Sequence, residues 1–240
     1  MKQRLDQALV DRGLIESREK ARALILAGSV LVNGQKVDKA GAAVASNSTI
    51  ELLERPKYVS RGGLKLEAAL EDFHVDASGK VCLDVGSSTG GFTDCLLQHG
   101  AARVYAIDVG TGQLDWKLRN DPRVIVQEQV NARRLSREQV PEPIAIGVCD
   151  VSFISVTMIL PAMAPLLADN GEMVILVKPQ FELERRQVGK GGIVRDPELH
   201  ALACKRVQDA AEALGFRTKL MPSPILGAEG NREFLLHGRR

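Results

Sequence analysis

The 240-residue sequence predicts an α/β protein, a mostly parallel sheet covered by helices on both faces, preceded by a small α+β unit. Three observations carry this expectation. From about residue 64, short apolar runs alternate with helix-length amphipathic stretches, the rhythm of strand–helix–strand units. The first 60 residues lack that rhythm and hold 10 Lys+Arg against 7 Asp+Glu, whereas residues 61–240 hold 22 against 23. Finally, Asp84-Val85-Gly86-Ser87-Ser88-Thr89-Gly90-Gly91-Phe92 sets a glycine-rich turn between an apolar strand and a helix.

In the first unit, Leu5, Leu9 and Leu14, then Ala21, Leu24 and Ile25, recur at helical spacing. Ser17 is the expected N-cap of the second helix, and Gly28 ends it. Val30-Leu31-Val32 before Asn33-Gly34 reads as a hairpin strand and its turn, with further short strands at Lys36-Val37 and Thr49–Leu52. Arg55-Pro56-Lys57 breaks the pattern. The expected division is a domain over 1–56, a linker over 57–63 and a second domain over 64–240.

The second domain opens with a helix from Leu64 to Phe73 and a strand from Lys80 to Gly86. A helix from Phe92 to about His99 and a strand from Arg103 to Asp108 follow. Val124–Val126 and Ala145–Val148 read as strands, Ser155 to Leu167 as a helix stopping near Asn170-Gly171, and Met173–Val177 as a strand. Asp196-Pro197 caps and opens a helix running to Leu214 with Gly215 behind it; Arg217–Met221 and Glu233–His237 complete the sheet.

Composition narrows the function classes. The chain is 45% hydrophobic and 26% charged, ordinary for a globular protein. The longest apolar candidate, Val156 to Ala168, is short for a membrane span and contains two prolines, and the opening residues are amphipathic rather than signal-like. Four scattered cysteines and four histidines show no ligand or disulfide spacing, so the expectation is a cytoplasmic protein with no metal and no membrane.

The turn at 84–92 is the strongest local signal. Glycines allow a tight turn and close ligand approach, and Asp108, about twenty residues on, stands where an acid holds a ribose. A dinucleotide fingerprint wants glycine where Ser88 stands. Asp84 would repel a pyrophosphate and attract an ammonium group, which S-adenosyl-L-methionine carries. The expected cofactor contacts are Asp84, Gly86, Ser88, Gly90, Gly91, Phe92 and Asp108; a plain strand–helix turn is the alternative. A second set, Lys65, Asp150, Lys178 and Glu233, is dispersed in sequence, yet each member falls near an element boundary, where open α/β sheets bind ligands. Singly, each would read as a surface charge or a cap.

The N-terminal residues Arg4-Leu5-Asp6, Ser17-Arg18, Ala21, Gly28-Ser29-Val30 and Val32-Asn33-Gly34 resemble an S4 RNA-binding domain. From Ser60-Arg61-Gly62-Gly63-Leu64-Lys65-Leu66 onward the chain resembles FtsJ-type methyltransferases, and its whole length is similar to the TlyA, or hemolysin A, family. The resemblance implies a Rossmann-like class I methyltransferase sheet behind the S4-type unit. It also implies S-adenosyl-L-methionine-dependent 2′-O-methylation of a ribose, with cytidine as the nucleoside, in ribosomal RNA or ribosomal subunits. Carried over by motif, the family's Lys-Asp-Lys-Glu catalytic tetrad falls on Lys65, Asp150, Lys178 and Glu233. The oligomeric state stays open.

A ribose hydroxyl must lose its proton as the methyl group arrives in line, and a lysine serves as base only in its neutral form. The expected roles are Lys178 as base, Asp150 and Glu233 as its orienters, and Lys65 as a cation near the hydroxyl or a phosphate. Arg4, Arg18, Lys20 and Arg22 are the expected RNA contacts. Residues 1–57 contain no aromatic, which favours recognition of folded RNA by shape and phosphate over base stacking. The competing readings are a non-catalytic RNA-binding protein and a cytolysin of the kind the hemolysin name suggests.

Overall fold

The computed structural model describes residues 2–26, 28–53, 56–227 and 230–240. They fall into two compact units, Met1–Pro56 and Lys57–Arg240. Arg55 of the expected break lies outside the described residues.

In the small unit, β1 (Lys2–Arg4) leads into α1 (Leu5–Asp11) and α2 (Arg18–Leu26), followed by β2 (Val30–Val32), β3 (Gln35–Lys36), β4 (Ala43–Ala45) and β5 (Ile50–Leu52). β1 pairs antiparallel with β4, and β2 lies between β3 and β5. Leu5, Leu9, Ala21, Ile25, Val30 and Val44 form the core. Ser17 caps α2, its hydroxyl accepting from the Lys20 N–H at 3.3 Å. Asn33 and Gly34 both take positive φ, 51° and 77°, as a two-residue hairpin turn requires. Leu14 departs from expectation: α1 ends before it and it is 40% exposed. β1 escaped the sequence reading because three residues are too few to show a period.

The large unit runs α3 (Gly62–Phe73), β6 (Val81–Val85), α4 (Gly91–Gln98), β7 (Arg103–Ile107), α5 (Trp116–Arg119), β8 (Val124–Gln127), β9 (Ile144–Cys149), α6 (Leu160–Met163), β10 (Leu167–Val177), α7 (Pro179–Glu182), α8 (Pro197–Glu212), β11 (Arg217–Pro222) and β12 (Phe234–Arg239). Its seven strands lie in the order β11-β12-β10-β9-β6-β7-β8. β6 to β10 are mutually parallel, and β12 is antiparallel to both neighbours. Period-two alternation supplies both faces: Leu83, Val85, Ile175 and Val177 enter one apolar cluster, and Cys82, Val174 and Leu176 enter the other.

Three expectations need correction. α3 begins at Gly62, inside the stretch expected to link the domains. The expected helix from Ser155 to Leu167 is instead a broken series: the short α6, flanked by single tight turns over Val156–Met158 and Ala164–Leu166. Pro161 and Pro165 each stand in the opening positions of a new turn, where their missing backbone donors are tolerated, and neither could sit inside one continuous helix without loss of a hydrogen bond. β10 then begins at Leu167, so Asn170-Gly171 lies within a strand whose pairing with β9 shifts register between Leu167 and Glu172.

Candidate active site

Parallel strands end together, so Asp150, directly after β9, and Lys178, directly after β10, emerge at the same sheet end. β12 runs the other way and begins there, which brings Glu233 to that end. Lys65 reaches it from the first turn of α3. The four residues form two ion pairs. Lys65 Nζ donates to Glu233 Oε2 at 2.5 Å, and Lys178 Nζ stands 2.6 Å from Asp150 Oδ1. Glu233 therefore holds Lys65 and not Lys178, contrary to the expected assignment. Lys65, Lys178 and Glu233 are buried, at 8%, 9% and 4% exposure. Lys178 Nζ also donates to Ser152 Oγ at 2.8 Å, and Asp150 Oδ1 is left buried without an aligned hydrogen-bond donor.

The glycine turn is built by close approach. Gly86 has φ 83°, and a Cβ there would lie 2.6 Å from the Asp150 carbonyl oxygen. A Cβ on Gly91 would lie 3.0 Å from the Gly63 nitrogen, so the first turns of α3 and α4 meet this closely only because Gly91 is bare, while a Cβ on Gly63 would strike the Tyr58 side chain. Asp108 is held from two sides: Ser88 N–H donates to Oδ2 at 2.8 Å and Gly110 N–H to Oδ1 at 2.7 Å. Asp84 departs from its expected role. It is fully buried beneath the turn, where Thr93 Oγ1 donates to it at 2.6 Å. Burial pushes its carboxyl up to about 7, the nearby charges of Asp150 and Asp108 push the same way, and the Thr93 hydrogen bond offsets part of this. It lies under the turn, and its Oδ1 has no hydrogen-bond partner among the described residues.

Two adjoining clefts share Gly86, Ser88, Asp150 and Ser152. One, of about 530 Å³, is walled by Ile107, Val109, Val130 and Ala132 with Asp108 among them. The other, of about 720 Å³, is lined by Ser60, Arg61, Lys65 and Lys178. Of the expected cofactor residues, Gly86, Ser88 and Asp108 line the first; Gly91 and Phe92 line only the second, and Asp84 and Gly90 line neither. Gly90 serves the turn through its φ of 96°.

Sequence reasoning places Asp150–Phe153 at the cofactor as a stretch but gives no individual role to Ser152, Phe153 or Arg61, all of which line the clefts. Phe153 has φ 65°, rare for a bulky side chain, and is 92% exposed. Its ring rests 5.3 Å from that of Phe181. Its place directly behind Asp150 in Asp-Val-Ser-Phe was the available signal; the backbone twist that turns it outward has none.

In the small unit, Arg4 and Arg18 converge on Asp6. Arg4 donates to it through Nε at 3.0 Å and Nη2 at 2.9 Å, and Arg18 Nη2 donates at 3.2 Å. The Arg4 hydrogen bond is the main reason the Asp6 carboxyl is lowered to about 2. Lys20 pairs with Glu16, and Arg22 is exposed. Among the described residues, no cluster of His, Cys, Asp and Glu is placed to hold a metal, and no helix is long and apolar enough to cross a membrane.

Residues 58–240 match the FtsJ-like methyltransferase family and residues 3–50 the S4 domain. The chain is 47% identical over 236 residues to hemolysin A of Brachyspira hyodysenteriae, covering 98% of each. It is 45% identical over 236 residues to the 16S/23S rRNA (cytidine-2′-O)-methyltransferase TlyA of Mycobacterium tuberculosis, covering 97% of this chain and 88% of that protein. The solved structure of a candidate hemolysin from Streptococcus thermophilus superposes with a TM-score of 0.76 at 45% identity, covering all of this chain and 88% of that one. The chain therefore belongs to the FtsJ-like methyltransferase family, in the group, shared with TlyA and hemolysin A, that carries an S4 domain ahead of the methyltransferase domain.

Proposed function

We propose that this protein methylates the 2′-oxygen of a cytidine ribose in ribosomal RNA, on free RNA or ribosomal subunits, with S-adenosyl-L-methionine as donor. The observation that carries the reading is the pair of lysine–carboxylate contacts, whose two lysines line the second cleft and whose Asp150 is shared with the first.

The first cleft fits an adenosine-bearing sulfonium. Asp108 is fixed by two backbone N–H groups and keeps lone pairs for ribose hydroxyls, apolar walls flank it, and Gly86 lets a ligand approach the backbone. Asp84, Asp108 and Asp150 lie close enough for their charges to interact, an environment that opposes a pyrophosphate. When bound, S-adenosyl-L-methionine supplies an electrophilic methyl group.

This chain's residues do the rest. Lys178, held by Ser152 and Asp150, acts after its ammonium has released a proton to solvent: the neutral amine takes the proton of the 2′-hydroxyl as the oxygen–methyl bond forms and the methyl–sulfur bond breaks. Asp150 Oδ1, 2.6 Å from Lys178 Nζ, fixes the direction of that lysine. Arg61 gives the second cleft positive charge for the flanking phosphate, and Lys65, balanced by Glu233, adds an N–H donor to the same wall. The exposed ring of Phe153 offers an apolar face to a base turned out of its stack. In the small unit, Arg4 and Arg18 present their outward N–H groups to phosphates, with Lys20 and Arg22 on the same helix as Arg18.

The test is tritiated methyl transfer to ribosomal subunits from a strain lacking the enzyme, followed by nuclease mapping. Label should appear on a cytidine 2′-oxygen. A protein that binds the methyl donor and labels no ribosomal RNA would falsify the reading, as would donor-independent leakage of liposomes without methyl transfer.

A further inference from the structure

Glu182 is a buried carboxylate with no part in the chemistry above. It closes α7, the short helix that starts immediately after Lys178, and is 7% exposed. Its two oxygens are used on one target. Ser155 Oγ donates to Oε2 at 2.5 Å and the Val156 N–H donates to Oε1 at 2.8 Å. Ser155 and Val156 end the loop that Asp150 begins.

The loop is therefore held at both ends by one stretch of chain. At its start, Lys178 reaches Asp150 and Ser152. At its finish, Glu182 holds Ser155 and Val156. Between these points sits Phe153 with its positive φ, a conformation that persists only where the surroundings enforce it. A lysine stem is flexible and cannot enforce it alone; a carboxylate gripping a hydroxyl and a backbone N–H can. The grip is itself anchored, since Arg206 Nη1 of α8 donates to the Glu182 carbonyl oxygen at 2.8 Å.

We propose that Glu182 is a positioning residue for methyl transfer, tying the Asp150–Ser155 loop to the Lys178–Glu182 segment and so fixing how Asp150, Ser152 and Phe153 meet Lys178. This rests on the catalytic reading of Lys178 and Asp150 given above. Burial raises the Glu182 carboxyl, with the Ser155 and Val156 bonds acting against the rise, in keeping with a group kept for its hydrogen bonds.

The experiment compares full-length wild type with Glu182→Ala, Glu182→Gln and Ser155→Ala. It measures kcat and KM for ribosomal subunits, S-adenosyl-L-methionine Kd by calorimetry, and Tm. Glu182→Ala should lower kcat about 30- to 100-fold, the loss expected when reacting groups are misplaced by about an ångström, with KM and Kd within about threefold. Glu182→Gln should recover most of kcat, because its amide oxygen still accepts from Val156 and its NH2 reaches Ser155. Ser155→Ala, which removes one bond and leaves the backbone bond, should fall between them and serves alone if Glu182→Ala does not fold. The proposal is overturned if a folded Glu182→Ala keeps kcat within twofold, if Kd weakens as much as kcat falls, if Gln is as impaired as Ala, or if Ser155→Ala has wild-type kcat. A wild-type protein that transfers no methyl group would instead remove the catalytic reading beneath it.

Discussion

Asp6 in the small unit is fully buried and holds two arginines whose side chains stay half exposed, whereas in the large unit the lysines 65 and 178 are buried along with Glu233. With the acid inside and the cations outside, the small unit keeps guanidinium edges in water, fixed in direction and free to meet an anion. With the cations inside, the large unit takes on a desolvation cost that pairing must offset, and each lysine has a carboxylate in contact. The same two residue types thus serve two ends. Exposed cations on a buried acid leave charge in water, while buried cations beside acids are held at fixed points by their partners.

That contrast can be broken experimentally, starting where the effect is largest. Lys178→Ala should reduce methyl transfer by about 10²- to 10⁴-fold, the usual range for loss of a general base, with donor affinity within a few fold. A purified variant keeping a tenth of wild-type turnover would end the base assignment. Asp108→Ala should do the reverse, weakening S-adenosyl-L-methionine about 10- to 100-fold, the equivalent of about 1.5–3 kcal/mol for a charge-assisted bond. Unchanged calorimetric affinity would remove Asp108 from the cofactor cleft.

Smaller effects are expected from the exposed arginines. The double variant Arg4→Ala/Arg18→Ala should bind RNA more weakly and flatten the dependence of log K on log salt by about 0.7–0.9 per lost phosphate contact. Its kcat at saturating RNA should equal wild type. A steep, unaltered salt slope in filter binding would show that display of charge is not what the small unit does.

The smallest effect is on stability. The Asp84 carboxyl is pushed from 3.8 up to about 7 in the folded chain. Between those values the folded state binds a proton that the unfolded state has released, so stability falls as pH rises through that window. Asp84→Asn keeps an acceptor for Thr93 and removes the titration. Its Tm relative to wild type should therefore increase between about pH 4.5 and about pH 7.5. A difference in Tm that does not change with pH would mean that Asp84 is not titrating in this range.

Apolar runs made the sheet strands legible, because both faces of β6, β9 and the second half of β10 are covered, and Ile144–Cys149 and Met173–Val177 are continuously apolar. The glycine turn was legible from its punctuation, and all four tetrad residues do converge in space. Their partition into pairs was not legible. Lys65 and Glu233 are 168 positions apart, and only the reversal of β12 brings them together. That Asp84 lies under the turn and lines neither cleft was not legible, because a residue at a strand end points either out of the sheet's end or into the fold, and sequence does not distinguish the two. Glu182 carried no signal, since a lone glutamate after an aromatic reads as surface until its burial is seen. The helix expected through Pro161 and Pro165 was an error of weighting: helical spacing was preferred over two residues that cannot donate backbone hydrogen bonds.

The place of β12 sets an order on assembly. It is the last strand in chain order, yet it lies inside the sheet, between β10 and β11. Until residues 234–239 have been made and inserted, β11 has no neighbour in the sheet and Lys65 lacks the carboxylate that Glu233 brings. The pairing is also distant in sequence from the α3 residue it completes, the kind of contact that forms late in folding. A nascent chain halted before β12 would therefore have the glycine turn and the Lys178–Asp150 pair but not the Lys65–Glu233 pair. The candidate site is thus finished by a strand that is added to the interior of the sheet rather than to its edge.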